Sequence, residues 1–182
     1  MGFHLSYGAV LASLLSPANP VAFLPLLVPV ALVVVFLVVG RGKPQYRRAV
    51  PLLLIAVLIA FTLPLGIVPL QEAGASWQVK GGTLTLDAPP EAATLTLARV
   101  SWSVVAMASY GQPMTRLNGF ADPTLDSGIF GAGHGPAMTV LIYGHPVSGV
   151  LIQAPGGPYL IATPHLAALE GALRQESGPP SS

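Results

Sequence analysis

Two long runs of apolar residues, separated by a short basic segment, dominate the N-terminal part of the chain. They cover 21–39 and 49–70, and neither contains a Lys, Arg, Asp or Glu. At about 1.5 Å of rise per residue, each run would span the roughly 30 Å hydrocarbon core of a bilayer as a helix. The segment between them, 41–48, holds four of the chain's eight Lys and Arg residues, and short loops of this composition stay in the cytoplasm. The pattern predicts a transmembrane hairpin over 21–70. The protein would then be a multi-pass protein of the cytoplasmic membrane with an extracytoplasmic C-terminal domain.

A shorter apolar segment, 1–20, precedes the predicted hairpin. Positions 4–16 have apolar residues at helical spacing, but such a helix is too short to cross a bilayer. The segment also lacks the cationic start of a signal peptide. We therefore expect an interfacial helix here.

Beyond position 70 the apolar residues recur with a period of two, which is typical of strands. Leu84 and Leu86 alternate with threonines, and Gly81-Gly82 predicts a tight hairpin before them. A change of face near 98–99 indicates a bend or bulge. The strand candidates are 77–80, 83–87, 94–107, 137–143, 150–153 and 158–162.

A helix is predicted after the last strand, with Thr163 as N-cap and Pro164 at its first position. Its apolar face is formed by three leucines, Leu166, Leu169 and Leu173. We expect an α+β, mainly β, domain over 71–175. This domain would be a bent barrel or sandwich of about seven strands capped by the C-terminal helix, with a disordered tail at 176–182.

The distribution of charge along the chain excludes one class of binding partner. Residues 71–182 contain four Lys and Arg but all seven Asp and Glu residues. A mildly acidic domain of this kind is a poor nucleic-acid binder, because neutralising phosphates needs a basic surface. The absence of cysteine excludes disulfides and thiol catalysis.

The segment 116–130 resembles the central signature of a bacterial pleckstrin-homology-like (PH-like) domain family found in small membrane proteins. The positions in register with that signature are Arg116, Asn118, Gly119, Pro123, Gly128 and Phe130. Thr124, Leu125 and Asp126 depart from it, standing where the family has glycine, an aromatic residue and often a basic residue. The resemblance covers about 75–182. It implies a seven-stranded, strongly bent barrel capped by a helix, and no enzymatic activity.

The candidate binding residues are Arg116, Asn118, Gly119 and Phe130. The planar guanidinium of Arg116 and the amide of Asn118 together could hold an anionic or peptide ligand. The alternative is structural: the polar pair would order a long loop, Gly119 would adopt a positive φ, and Phe130 would belong to the core.

Three histidines, His134, His145 and His165, raise the question of a metal site. Their spacing matches no metal-binding motif, and no phosphate loop, dinucleotide fingerprint or nucleophile elbow is present. We therefore expect no metal site, no cofactor and no catalytic residues.

These observations favour a membrane-anchored, non-enzymatic binding or assembly module. Its expected partners are the lipid bilayer and another membrane or envelope protein, and nucleic acid is not expected. Three alternatives remain open at this point: a small-molecule sensor with a deep apolar pocket, an accessory subunit of a membrane enzyme, and a hydrolase that uses His134 and His145.

Overall fold

The computed structural model describes residues 1–15, 70–110, 114–132 and 135–177, together with separate helical positions between 30 and 67. Most of 16–69, including the basic segment 41–48, lies outside the described residues. The elements are β1 (Gly2–His4), α1 (Tyr7–Leu14), β2 (Ser76–Lys80), β3 (Thr83–Ala88), β4 (Glu91–Thr96), a 3-10 helix (Leu97–Arg99), β5 (Ser101–Ala106), α2 (Met107–Tyr110), β6 (Met114–Ala121), β7 (Leu125–Ala132), β8 (Ala137–Tyr143), β9 (Ser148–Ala154), β10 (Gly157–Ala162) and α3 (Leu166–Ser177).

The ten strands form two sheets. The first has the order β1-β2-β3-β4 and is antiparallel throughout. The second has the order β5-β9-β10-β8-β7-β6, in which β10 lies between β8 and β9 and runs parallel to β8. The fold is mainly β, but the prediction of one barrel of about seven strands is wrong. The 3-10 helix turns the chain from the edge of the first sheet to the edge of the second.

The predicted two-helix transmembrane hairpin over 21–70 is also wrong, and with it the membrane localisation. Among the described residues, no helix is long and apolar enough to cross a membrane. A crossing helix needs about 20 consecutive apolar residues, whereas α1, α2 and α3 have 8, 4 and 12 residues. The physical weakness of the prediction is its prolines, because a proline beyond the first turn of a helix removes a backbone hydrogen bond. Pro29, Pro64 and Pro69 hold such positions in the two runs.

The N-terminal segment is part of the β domain. β1 pairs with β2, and the backbone of Leu5 exchanges hydrogen bonds of 2.8 and 3.0 Å with Ala75 and Gly74. Ser6 caps α1 by accepting a hydrogen bond from Ala9 N. Leu5 and Val10 are buried in the main core. The apolar side of this segment is therefore covered by the protein's own sheets.

The main core is bounded by both sheets, α1 and α3. α3 contributes Leu169, Ala172 and Leu173, all of them buried. The helix begins later than predicted, because the Thr163 hydroxyl accepts a 3.0 Å hydrogen bond from Trp77 Nε1 instead of capping a helix. Arg174 lies 5.7 Å over the ring of Trp102, at a cation–π distance.

A second core cluster lies on the opposite face of the second sheet. Leu141 and Ile161 belong to the main core, whereas their neighbours along β8 and β10 belong to this second cluster. Successive side chains of a strand point to opposite faces, so these strands are buried on both sides. The buried members of the second cluster are Phe130, Met138, Val140, Ile142, Leu160 and Ala162.

Candidate functional site

The four predicted binding residues lie on the hairpin of β6 and β7. Arg116, Asn118 and Gly119 are on β6, and Phe130 is on β7 as the register partner of Arg116. Arg116 and Asn118 are exposed, whereas Phe130 is buried in the second core cluster. The structure thus brings the polar pair to a surface that a partner could reach and assigns Phe130 to packing.

β6 is an edge strand, but its edge is irregular. The pairing with β7 shifts between Arg116 and Asn118, so Leu117 is an extra, bulged residue. Its side chain is 61% exposed. Bulges and charged side chains are the usual means by which proteins prevent another strand from pairing with an edge. This edge is therefore poorly suited to strand addition.

Gly119 and Gly128 face each other where β6 and β7 approach most closely. Both have positive φ angles, 114° and 109°. A Cβ on Gly119 would overlap the carbonyl oxygen of Ser127 and lie 2.8 Å from the Cα of Gly128. Glycine is required here both by the backbone conformation and by the lack of space.

The turn of this hairpin is organised by Asp122. Its Oδ1 accepts hydrogen bonds from the backbone N–H groups of Thr124 and Leu125, at 2.6 and 2.8 Å. A short acidic side chain that bonds the backbone two and three residues later is a common way to fix a turn.

The same turn is attached to the N-terminal helix. Ser13 Oγ, at the end of α1, donates to Asp122 Oδ2 at 2.7 Å and is also hydrogen-bonded to Thr124 Oγ1. Thr124 stands where the PH-like signature has glycine, and a glycine there would lose this contact.

A buried carboxyl group lies next to the hairpin. Glu72 is 5% exposed and Ser127 is fully buried. Ser127 Oγ is hydrogen-bonded to Glu72 Oε2 and lies 3.1 Å from the carbonyl oxygen of Pro89. One hydroxyl has a single proton to donate, so Ser127 Oγ shares it between the Glu72 carboxylate and the Pro89 carbonyl oxygen. Burial raises the pKa of Glu72, and the hydrogen bond that Ser127 donates to its carboxylate opposes part of that rise.

Asp126, beside Ser127 on β7, is the second perturbed acid. Burial, and to a smaller extent the charge of Asp122, raise its pKa to about 6. The folded state therefore holds the proton more tightly than the unfolded chain, whose value is 3.8. The contribution of Asp126 to the free energy of unfolding falls as the pH rises from about 4 to about 6, and it is constant above that range.

Replacing Asp126 with asparagine should remove this part of the pH dependence. The variant should be close to the parent near pH 3.5, where Asp126 is mostly protonated in both states, and should be the more stable of the two at pH 7.5. Urea denaturation midpoints at pH 3.5, 5 and 7.5 measure the effect. A variant whose midpoints follow those of the parent at all three pH values would contradict the assignment.

A groove of about 380 Å³ opens along β4, which among the described strands has β3 as its one neighbour. The pairing of β4 with β3 runs without a shift from Glu91 to Thr96. Within β4, Ala92, Thr94 and Thr96 are exposed. The residues that line the groove include Thr94, Thr96, Arg99, Pro155, Gly156 and Tyr159. This edge is regular and uncharged between its ends, unlike that of β6.

No local sequence pattern predicts this groove. The sequence predicts one strand over 94–107 with a bend near 98–99. That bend is the 3-10 helix at which the chain leaves the first sheet, so Thr96 ends one edge and Ser101 begins another. The change of face near 98–99 indicates where the chain bends. It does not show that β4 lies at the edge of a sheet, because that depends on which strands pair.

A second groove, of about 390 Å³, is lined by Tyr143, His145, Ser148 and Thr163. The ring of His165 lies 6.1 Å from that of Phe3, and His134 lies outside the described residues. Within the described part of the chain, no group of three or more His, Asp or Glu side chains could hold a metal ion.

Comparison with known proteins identifies no relative of this chain. No family model matches the chain, and neither the curated proteins nor the solved structures contain a significant match. The resemblance of 116–130 to the PH-like signature therefore stays a prediction.

Proposed function

We propose that this protein is a non-enzymatic binding module that accepts an extended peptide segment of a partner protein on the edge of β4 with which no described strand pairs. The observation that carries the proposal is the regular edge of β4 beside an open groove. An edge strand presents unpaired backbone N–H and C=O groups, and an added strand satisfies them with main-chain hydrogen bonds.

The shape of the groove favours a slender occupant. Pro155 and Gly156 of the β9–β10 turn line one part of it, and Tyr159 of β10 lines another. An extended peptide is narrow enough to lie between such walls and the β4 backbone. A whole folded domain would need a flat or convex surface to approach β4 as closely.

Charge indicates which peptides fit. Arg99 is exposed and lines the groove, so an acidic side chain on the peptide would find an opposite charge there. The remaining lining side chains named above are uncharged. Small or β-branched residues suit such a surface, because they pack well against a strand.

The proposal is tested with the full chain and a synthetic peptide. The probe is a capped seven-residue peptide with Glu at its first position, five alternating Thr and Val residues, and Lys at its last position. Titration into isotope-labelled protein should change the NMR amide signals of 91–96 in a saturable way. The amide signals of 114–118, on the β6 edge, should not change.

Two exposed arginines provide a matched pair of variants. Arg99→Ala should weaken binding by roughly two- to fivefold, the usual range for one exposed ion pair, whereas Arg116→Ala should leave it unchanged. Loss of binding in Arg116→Ala alone would move the site to the predicted hairpin residues and overturn the assignment to β4. No saturable binding at millimolar peptide would overturn the proposed function itself.

A further inference from the structure

The two ends of the β4 edge carry opposite charges. Glu91 is the first residue of β4, and Arg99 ends the 3-10 helix that directly follows the strand. The residues between them are all uncharged. At about 3.4 Å per residue, the strand alone separates Glu91 from Thr96 by roughly 17 Å. The edge therefore has a direction that a partner strand can recognise.

From this pattern we infer that the partner segment runs antiparallel to β4 and carries an acidic residue at its N-terminal end and a basic residue about six positions later. This inference rests on the proposed function and specifies the ligand class and its orientation. In an antiparallel pair, the N-terminal end of the added strand lies beside Thr96 and Arg99. Its C-terminal end then lies beside Glu91.

The sheet itself favours this direction. β1, β2, β3 and β4 are all paired antiparallel, and an antiparallel ladder is slightly more stable per residue than a parallel one. A peptide with its basic residue first can match both charges only in the parallel direction. Bound antiparallel, it places two like charges together at each end, which is unfavourable.

The test compares two capped peptides with the same five central residues and reversed ends, one with Glu first and one with Lys first. The full chain should bind the Glu-first peptide about fivefold more tightly than the Lys-first peptide. The preference should almost vanish in 1 M salt, where the screening length is about 3 Å.

Orientation is measured directly with a nitroxide label on a cysteine added before the first residue of the Glu-first peptide, so that the Glu side chain is kept. The label should broaden the amide signals of 95–99 much more strongly than those of 91 and 92. Charge exchange supplies the matched control: the double variant Glu91→Lys with Arg99→Glu should prefer the Lys-first peptide. Both substitutions are on the surface strand and its flank, and circular dichroism checks that the variant is folded.

The outcomes separate the two proposals. Equal affinity for both peptides, or stronger broadening at 91 and 92 than at 95–99, would overturn the inferred direction while the proposed function stands. Failure of both peptides to bind would overturn the proposed function. A dimer that forms through β4, seen by sedimentation and not dissociated by either peptide, would assign the edge to a second copy of the chain and overturn both.

Discussion

Replacing Leu169 with alanine should lower the free energy of unfolding by about 2–5 kcal/mol, the range for removing a large aliphatic side chain from a packed core. Leu169 is fully buried on the side of α3 that faces both sheets. The substitution deletes buried methyl groups and leaves a cavity that the surrounding strands can fill only in part. Urea denaturation of the full chain, followed by tryptophan fluorescence, measures the loss.

The neighbouring residue supplies the control. Glu170 is only partly buried, and Glu170→Ala should change the free energy of unfolding by less than about 0.5 kcal/mol, since substitutions of surface side chains usually have effects of this size. Both variants keep a good helix former at the substituted position. Equal and small changes in the two would mean that α3 does not close the core.

Local sequence signals predicted several parts of the fold well. The Gly81-Gly82 hairpin is present, with φ angles of 58° and 73° at the two glycines and a regular register between β2 and β3. The alternation of Leu84 and Leu86 with exposed or half-buried neighbours is also observed. These features depend on residues that are close in sequence, where turn chemistry and side-chain period are sufficient.

The arrangement of the second sheet could not be predicted in the same way. Val140, Leu141 and Ile142 are consecutive and all buried, because β8 is covered on both faces. An apolar run of this kind indicates a central strand but does not reveal its neighbours. The position of β10 between β8 and β9 depends on contacts between residues that are distant in sequence, and no local pattern predicts it.

The polar contacts of the hairpin were missed for the same reason. Glu72 lies shortly before β2 and Ser127 lies in the segment that resembles the PH-like signature, yet the two are hydrogen-bonded across 55 residues of sequence. Ser13 and Asp122 are separated by 109 residues. A serine in an apolar segment and an acid in a turn have ordinary local explanations, so only the tertiary structure shows that they meet.

The β6–β7 hairpin also predicts a large loss of stability for one substitution. Gly119→Ala should lower the free energy of unfolding by about 3 kcal/mol or more, through a strained backbone conformation and a steric overlap together. An alanine at 119 would have to keep a φ near 114°, which L-residues rarely adopt, and its Cβ would overlap the Ser127 carbonyl oxygen. Since Ser127 also holds Glu72, the displacement would reach the buried carboxyl group as well.

Gly157→Ala separates the two causes. Gly157 has a similar φ of 123°, but nothing lies within 4 Å of where its Cβ would be. This control should therefore lose only the conformational part, about 1–3 kcal/mol. A larger loss in Gly119→Ala, measured by urea denaturation of both variants, assigns the difference to the close approach of β6 and β7. Equal losses would show that the hairpin can separate at little cost, and the tight Gly119–Gly128 contact would then not be what holds β6 in place.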